Sequence, residues 1–425
     1  MIHTKATKVA AVGLAAALLL SGCGRDAENE ESADPAAAIS SGPATGELSM
    51  WAQGAEAELL PALLEDFEAE NPDVTVNVTA IPWDAAHNKY QTAIAGESTP
   101  DIAQMGTTWM SDFSYAFDPT PQEIETGGFF PSAVGTTEIE GINYGVPWYV
   151  DTRVVYYRSD LAEQARYSDF PSNWDDFKAF TKAMQTEAGA EYGIRLPTGT
   201  ADSFQSMMPF AWSNGVELLS DDGSEWTIDT PEMIEAMEYY QGFFTEGIAD
   251  ENANTAAGAM ESDFVNGTTP VVIEGPFFLG QLEQAGGADF ADKFKVATLP
   301  TKESATSFIG GANMAVFKDT DNRDAAWKLV QWLSQPEVQL KWYEASGVLP
   351  AQQSSWQDPS LSGDENLAVF GEQLDDTMAP PAVNTWTKVS AAGDSELEQI
   401  VKAGKDPATA IKELQAEAES IGTGN

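Results

Sequence analysis

Few side chains in this sequence could carry nucleophilic or metal chemistry. The chain has one cysteine, Cys23, and two histidines, His3 and His87. His3 and Cys23 fall in an N-terminal segment with export features, so a Ser-His-Asp triad would have to use His87, and a site with several histidines is impossible. His87 follows Trp83 in an apparent helix, which favours a surface or half-buried position. We therefore expect no catalytic residue and no cofactor.

Two acidic segments could be mistaken for metal sites. Asp221-Asp222-Gly223 and the stretch 319–324 are rich in aspartate, as calcium loops are. Neither has the ligand spacing of an EF-hand, so we interpret both as tight turns. The sequence predicts no metal site.

The N-terminus has the pattern of an export signal. Lys5 and Lys8 precede an apolar run, Val9–Leu20, which is too short to span a bilayer. The run ends in Leu20-Ser21-Gly22-Cys23, which resembles the bacterial lipobox, where cleavage before the cysteine is followed by lipidation. The prediction is a signal peptide over 1–22, lipid on Cys23 and an extracytoplasmic protein anchored to the cell membrane. An ordinary secretory signal with a chance cysteine, or a short N-terminal helix, is the alternative.

Composition excludes other partners. Lys and Arg total 21 against 67 Asp and Glu, a net charge of −46, which disfavours both nucleic acid and anionic lipid headgroups. Residues 23–46 have almost no large apolar side chains, which predicts a flexible tether. The rest is long enough for two domain-sized units.

Strands and helices alternate in the first part of the body. Leu48–Trp51 reads as a strand, an amphipathic helix ends at Asn71-Pro72, and Val74, Val76 and Val78 alternate with polar residues as in a strand. This pattern predicts an α/β protein with a mostly parallel sheet. Ligand sites on such sheets lie beyond the carboxyl ends of the strands, where 51–54 and 106–109 fall.

A series of short motifs then resembles one family. The segments are Phe67–Pro72, Ala93–Ile102, Tyr144–Trp148 with Tyr156–Leu161, Val272–Phe277, Gly310–Asn313 and Gly347–Ala351. Each motif alone is weak, but they occur in the order of one family. Over about 47–420 the chain is similar to the family 1 extracellular solute-binding proteins, the maltose-binding-like sugar receptors of ABC importers.

The resemblance implies a two-lobed periplasmic-binding-protein fold of type II. Three interlobe crossings are expected near 148–154, 271–277 and 308–314. The N-terminal lobe would then hold 45–149 and 276–308, and the C-terminal lobe would hold 152–272 and 314–421. The ligand would lie between the lobes, which close around it before docking on a permease.

The resemblance also implies which residues bind the ligand. A neutral sugar offers hydroxyls to carboxylates and amides, and apolar ring faces to indoles. Glycines allow backbone N–H groups to approach. The expected ligand-binding residues are Trp51, Gln53, Glu56, Thr108, Trp109, Trp148, Asp151, Trp212, Glu274, Phe277, Gly310, Gly311 and Trp386.

Alternatives remain for single residues in this set. Any one tryptophan could pack in a core, which is our prediction for Trp174, Trp327 and Trp332 because they fall in helix patterns. The cleft is favoured for the tryptophans at 51, 109, 148 and 212. Glu56 could instead serve a helix N-terminus, which also favours an acid.

The prediction is a non-enzymatic, monomeric receptor that delivers an oligosaccharide to an ABC permease. An α-glucoside such as maltose, maltodextrin or trehalose is the leading ligand by family analogy. Cellobiose, chitobiose, xylo-oligosaccharides and glycerol phosphates are alternatives on the same scaffold. A secreted glycoside hydrolase, or a receptor for peptide, siderophore or metal, would be a different class of protein.

Overall fold

The computed structural model describes residues 36–424. Its first half contains seven strands and eight helices of four residues or more. In chain order these are β1 (Gly46–Gln53), α1 (Leu60–Glu70), β2 (Val74–Ile81), α2 (Trp83–Ala95), β3 (Ile102–Gly106), α3 (Met110–Phe113), α4 (Pro131–Gly135), β4 (Glu138–Ile139), β5 (Ile142–Asn143), β6 (Val146–Thr152), β7 (Val154–Arg158), α5 (Ser159–Gln164), α6 (Trp174–Thr186), α7 (Ser203–Ser213) and α8 (Pro231–Thr245).

The second half of the described chain is richer in helix. Short 3-10 turns link several of its elements. In chain order these are α9 (Ala259–Asn266), β8 (Val271–Glu274), α10 (Phe277–Gly286), β9 (Phe294–Ala297), β10 (Ser307–Val316), α11 (Arg323–Leu333), α12 (Pro336–Ser346), β11 (Leu349–Pro350), α13 (Pro359–Ser362), α14 (Glu365–Leu374), β12 (Thr377–Met378), α15 (Trp386–Ala403) and α16 (Pro407–Ile421).

A seven-stranded sheet has the order β11-β6-β10-β3-β1-β2, with β12 joined to β10. Strand β1 is parallel to β2 and β3, whereas β10 is antiparallel to both β3 and β6. Strands β1, β2, β3 and β6 therefore all point the same way. Their carboxyl ends lie along one side of the sheet, together with the first residues of β10 and β11. We call this row of strand ends the carboxyl edge, and the row at the opposite ends of the strands the amino edge.

A second, three-stranded sheet has the order β8-β7-β9, with β7 antiparallel to both neighbours. Its buried Val155 and Val271 belong to a core formed with helices α6, α7, α8, α15 and α16. The short loop between β6 and β7 carries the chain from the first sheet to the second, because only Arg153 lies between these strands. The predicted α/β class and two-lobed fold are confirmed, and the first predicted crossing coincides with this passage.

The predicted division of the C-terminal half is wrong. Strand β9 pairs with β7, so residues 276–300 belong with the second sheet. Strand β10 lies inside the first sheet and α11 packs on it and on β1, so residues 307–333 belong with the first. The order of strands in a sheet is not their order in the chain, and motif order could not reveal it.

The second and third crossings shift accordingly. The chain stays with the second sheet from β8 into α10, which packs on α9. It passes to the first sheet between Ala297 and Ser307, and it returns between β12 and α15, which packs on α7. The three passages are therefore near 152–154, 297–307 and 378–386.

The described end of the predicted tether is bound to the body. The Arg323 guanidinium donates to the backbone oxygen of Ala37 at 2.8 Å, and Ala44 is 1% exposed, with its N–H bonded to Asn71. These contacts fix residues 37–44 against the first sheet's helices. The predicted flexibility of 23–46 is therefore wrong for this part, and residues 23–35 lie outside the described chain.

Candidate functional site

The carboxyl edge of the seven-stranded sheet carries a large cavity of about 860 Å³. That volume is near the upper end of the roughly 300–1,000 Å³ typical of small-molecule sites. The cavity extends from Trp83, which follows β2, to Gly347, which precedes β11. Strands β2 and β11 are the outermost strands of the sheet. Its walls are Trp83, Tyr149, Val150, Asp151, Pro276, Phe277, Leu279, Gly280, Glu283, Gly311, Tyr343, Ser346, Gly347, Val348, Leu349, Asp364 and Leu367.

Asp151, at the end of β6, is the most constrained carboxylate of this cavity. Its Oδ2 accepts a hydrogen bond from Arg153 Nη1 at 2.6 Å. Its Oδ1 is buried and has no hydrogen-bond partner among residues 36–424. An unpaired buried carboxylate oxygen is costly, and the Arg153 charge beside it offsets part of that cost.

Arg153 is held by aromatic rings as well as by Asp151. Its guanidinium carbon lies 5.6 Å from the Phe277 ring centre and 5.5 Å from that of Phe308. Burial acts to lower the pKa of Arg153, but the carboxylates of Asp151 and Glu274 outweigh burial and raise it. Arg153 therefore stays charged, and it links the Asp151 carboxylate to the rings of Phe277 and Phe308.

Glu274, at the end of β8, lies on the other side of Arg153. Burial raises the pKa of its carboxyl, and the nearby Arg153 charge only partly opposes burial. It lines a separate cavity of about 290 Å³ together with Arg153, Arg195 and Thr198. Asp151 and Glu274 thus flank one guanidinium but face different cavities.

Gly275 explains how these groups come so close. A Cβ atom at this position would lie 2.7 Å from Arg153 Nη1 and 2.7 Å from Asp151 Oδ1. A side chain here would have to displace the ends of Arg153, Asp151 and Phe277, so the small size of glycine lets the three lie close together. Gly275 belongs to a matching motif, but sequence reasoning did not select it.

Phe277 lies on the cavity wall and exposes 49% of its surface. A large exposed ring beside a carboxylate is the arrangement expected for stacking on the apolar face of a sugar.

Gly311 also lines the cavity, but its φ of +116° and a Cβ position 2.2 Å from the Tyr149 carbonyl oxygen give it a structural reason to be glycine. Gly310 is buried, and the space beside it is filled by the Phe308 ring.

The predicted residues after β1 and β3 lie near the cavity but not in its wall. Trp51 is half-buried, with Lys89 Nζ 4.4 Å from its ring centre. Gln53 is fully buried and donates to the Tyr90 hydroxyl at 2.8 Å. The side chain of Glu56, a predicted ligand-binding residue, lies outside the part of the chain that the structure describes.

Trp109 is half-buried against Trp83 and His87, whose ring centres each lie 5.5 Å from its own. Thr108 borders a separate space of only about 20 Å³, closed by residues 379–382. Trp109 therefore contacts Trp83, which lines the cavity, but does not line the cavity itself. The side chain of His87 is half-buried as expected, and its Nε2 lies 2.8 Å from Asp112 Oδ2.

Three predicted cleft tryptophans are in the cores, and these predictions are wrong. Trp148 is 1% exposed and stacks on Trp342 at 5.5 Å, while Trp212 and Trp386 are each 3% exposed in the second core. The Trp386 Nε1 donates to Gln205 Oε1 at 3.2 Å. As predicted, the tryptophans at 174, 327 and 332 are also buried.

Several wall residues were missed from the sequence. Trp83 follows β2, just as Trp51 and Trp109 lie at the carboxyl ends of their strands. The expectation that ligand sites lie beyond these strand ends could therefore have selected Trp83. Tyr343 and Asp364 come from helices that join the cavity only through tertiary packing, and no local signal marked them.

No cluster of metal-ligating side chains occurs within residues 36–424. Asp222 accepts hydrogen bonds from Ser220 and Ser224 in a turn, as predicted.

Comparison with known proteins places this geometry in a family. Residues 51–340 match the family described as bacterial extracellular solute-binding protein. A putative binding protein of Brucella abortus is 26% identical over 84% of this chain and 87% of the relative, and the maltotriose-binding protein of Pyrococcus abyssi is 26% identical over 88% and 82%.

A solved structure agrees. The sugar-binding protein MalE from Xanthomonas citri superposes with a TM-score of 0.83 at 30% identity, covering 88% of this chain and 97% of that one. The family match covers well over half of the sequence, and the two-lobed fold agrees with it. The chain therefore belongs to the bacterial extracellular solute-binding protein family.

Proposed function

We propose that this protein is the substrate-binding component of an ABC importer, and that it captures an oligosaccharide in the cavity at the carboxyl edge of the large sheet. The observation that carries the proposal is the placement of Asp151 beside the exposed ring of Phe277 on one cavity wall. An α-glucoside such as maltose, maltodextrin or trehalose is the leading ligand, supported by the maltotriose-binding and MalE relatives.

The chemistry of the wall supports a sugar. Asp151 exposes 23% of its side chain in the cavity wall, and its carboxylate would accept a ligand hydroxyl. Such charge-assisted hydrogen bonds are stronger than neutral ones. The Phe277 ring would cover the apolar face of the same sugar ring. Binding across both sheets would favour the closed arrangement of the lobes.

The charge of the wall argues for a neutral ligand. The charged side chains that line the large cavity are all carboxylates, namely Asp151, Glu283 and Asp364. Both arginines of the small cavity are paired, Arg153 with Asp151 and Arg195 with Asp263. Glycerol phosphates are therefore less favoured than cellobiose, chitobiose or xylo-oligosaccharides as alternative ligands.

The test is thermal unfolding against a sugar panel of maltose, trehalose, cellobiose, xylobiose, chitobiose and glycerol phosphate. A ligand at 100 times its Kd should add about 2.7 kcal/mol to the free energy of unfolding. A rise in Tm with one linkage type would support the proposal and identify the ligand class. No rise with any sugar would contradict it.

We also propose that the protein is not an enzyme. A glycoside hydrolase needs two carboxyl groups that flank one bond. Asp151 is already paired with Arg153 at 2.6 Å, and Glu274 lines a different cavity. Release of nitrophenol from aryl glycosides would contradict this proposal and favour a hydrolase.

Membrane attachment through lipid on Cys23 completes the proposal. Cys23 lies outside the described residues, and none of the helices within 36–424 is long and apolar enough to cross a bilayer. Full-length protein should be found in the membrane fraction, whereas a Cys23→Ala variant should not be lipidated. The mass of the N-terminal peptide would decide between lipid and a free thiol.

The remaining partner is the permease of the importer. We expect a monomer that binds the transmembrane subunits when closed around its sugar. Light scattering of the purified protein would check the monomer, and co-purification with permease subunits expressed with it would check the partner.

A further inference from the structure

We infer that the sugar cleft continues past Asp151 into a groove between α10, α12 and α14, and that this groove binds further rings of an extended oligosaccharide. The groove arm, as we call it, is formed by Gly280, Glu283, Tyr343, Asp364 and Leu367. The inference rests on the proposed function and narrows its ligand to chains longer than a disaccharide.

The space is continuous. The large cavity of about 860 Å³ includes the groove arm as well as Asp151 and Phe277. A further cavity of about 350 Å³ shares Gly280, Glu283 and Asp364 with it and continues along α10. A ligand that begins beside Asp151 therefore has room to extend in this direction.

The cavity is also long. Trp83 and Gly347 follow and precede the two edge strands, which are five strand-to-strand steps apart. At the usual spacing of about 4.8 Å, the edge strands are about 24 Å apart. Aromatic rings lie at both ends and in the middle, at Trp83, Phe277 and Tyr343.

The groove arm repeats the chemistry proposed for the centre of the cleft. Tyr343 is half-buried, and burial followed by the Asp364 charge raises the pKa of its hydroxyl, so the ring stays neutral. Glu283 is exposed on the opposite wall. An aromatic face with carboxylates close by suits a second hydroxyl-bearing ring.

Gly280 gives independent support. Glycine in the interior of a helix is destabilising relative to alanine. A Cβ atom at Gly280 would meet nothing within 4 Å, whereas one at Gly286 in the same helix would lie 2.5 Å from the Phe290 ring. Packing therefore does not require glycine at position 280. Because Gly280 lines both cavities, a side chain here would enter the groove, and its absence keeps the path open.

The test compares sugar length with a block in the groove. Ala36–Asn425 form a compact unit of their own, so the chain from residue 24 is suitable for calorimetry. Maltose, maltotriose, maltotetraose and maltohexaose would be titrated into the parent protein, and the cello series would be used if only β-linked sugars bind. The variants are Gly280→Leu, which fills the groove, and Ala285→Leu, which adds the same side chain at an exposed position of α10 outside the cavity.

We expect affinity to rise at least tenfold from the disaccharide to the longest sugar in the parent and in Ala285→Leu. Gly280→Leu should abolish that rise, so that long sugars bind no more tightly than the disaccharide, and its Tm should be no lower than that of the parent because leucine favours a helix more than glycine does. Tyr343→Ala should reduce the rise in the same selective way.

Equal affinity for all lengths in the parent would overturn the inference while leaving the proposed function intact. Equal weakening of short and long sugars in Gly280→Leu, at a Tm no lower than that of the parent, would overturn it too. If no sugar of either series bound, the proposed function itself would fail, and the groove inference with it.

Discussion

The two edges of the seven-stranded sheet hold carboxylates in opposite circumstances. At the amino end of β3, Asp101 accepts hydrogen bonds from the N–H and hydroxyl of Ser49 at 2.7 and 2.8 Å, and from Thr320 and Asn322. At the carboxyl edge, Asp151 keeps a buried oxygen with no partner among the described residues. At the amino end the protein itself supplies the hydrogen-bond partners of the carboxylate, whereas at the carboxyl end one carboxylate oxygen has no partner among the described residues.

The pKa directions show the same contrast. Burial acts to raise the pKa of Asp101, but the hydrogen bonds from Thr320 and Ser49 outweigh it and hold the pKa below its usual range. Glu274, in β8 of the three-stranded sheet, is more deeply buried, and there burial outweighs the Arg153 charge and the Gly275 N–H and raises the pKa. The two carboxyls differ because Asp101 has several hydrogen-bond donors, whereas Glu274 has deeper burial and fewer donors. We infer that the amino edge serves stability and the carboxyl edge serves binding.

The largest expected effect concerns Trp148, which lies near the carboxyl edge but faces the core. Trp148→Ala should reduce the free energy of unfolding by about 3–5 kcal/mol, because it removes a buried ring stacked on Trp342. Denaturant unfolding would measure this. A stable variant that has lost sugar affinity would mean that Trp148 belongs to the cleft after all.

The next effect tests the amino edge. Asp101→Ala should cost about 2–3 kcal/mol of stability, because it leaves several donors without their acceptor. Its sugar Kd should equal that of the parent. Ser49→Ala removes one of these donors and should cost about 1 kcal/mol. A change in Kd for Asp101→Ala would break the division between the edges.

A smaller effect tests the carboxyl edge. Phe277→Ala should weaken sugar binding by about 1–3 kcal/mol, as expected for one stacked ring. Its stability should barely change, because the ring is 49% exposed. Tyr115, which is 62% exposed and does not line the cavity, is the matched control. Equal sugar affinity in Phe277→Ala, Tyr115→Ala and the parent would place the binding site elsewhere.

The smallest effect is a difference in pH dependence. Glu274 has a raised pKa, so its contribution to stability is full below its ordinary value of 4.5 and is lost as pH rises through the folded value. Asp101 has a lowered pKa, so its contribution is present above its ordinary value of 3.8 and is lost as pH falls through the folded value.

Stability curves from pH 3 to 8 would check both signs. Glu274→Gln should flatten the loss of stability above about pH 4.5, the ordinary value of the group. Asp101→Asn should flatten the loss on the acid side instead. Curves that both variants leave unchanged would contradict the contrast in pKa.

The candidate site could be predicted from the sequence only where local position decides the outcome. Asp151 and Phe277 line the cavity because each lies at the end or start of an element on the binding edge. Trp148 is three residues before Asp151 in the same strand, and it points to the core. Successive side chains of a strand alternate between faces, so a motif match without the register could not separate them.

By itself, the sequence determined the class of protein. The export-like N-terminus, the excess of carboxylates, the scarcity of histidine and the ordered motifs led to an α/β two-lobed fold and the right family. These features are local or compositional, and they do not depend on how distant segments meet.

Only the tertiary structure decided which segments share a sheet and which rings line the cavity. Strand β10 inserts between β3 and β6, and the α12 and α14 walls of the groove arm follow its α10 wall by about 60 and 85 residues in the chain. Such pairings are set by long-range packing and strand register, which leave little local trace in the sequence.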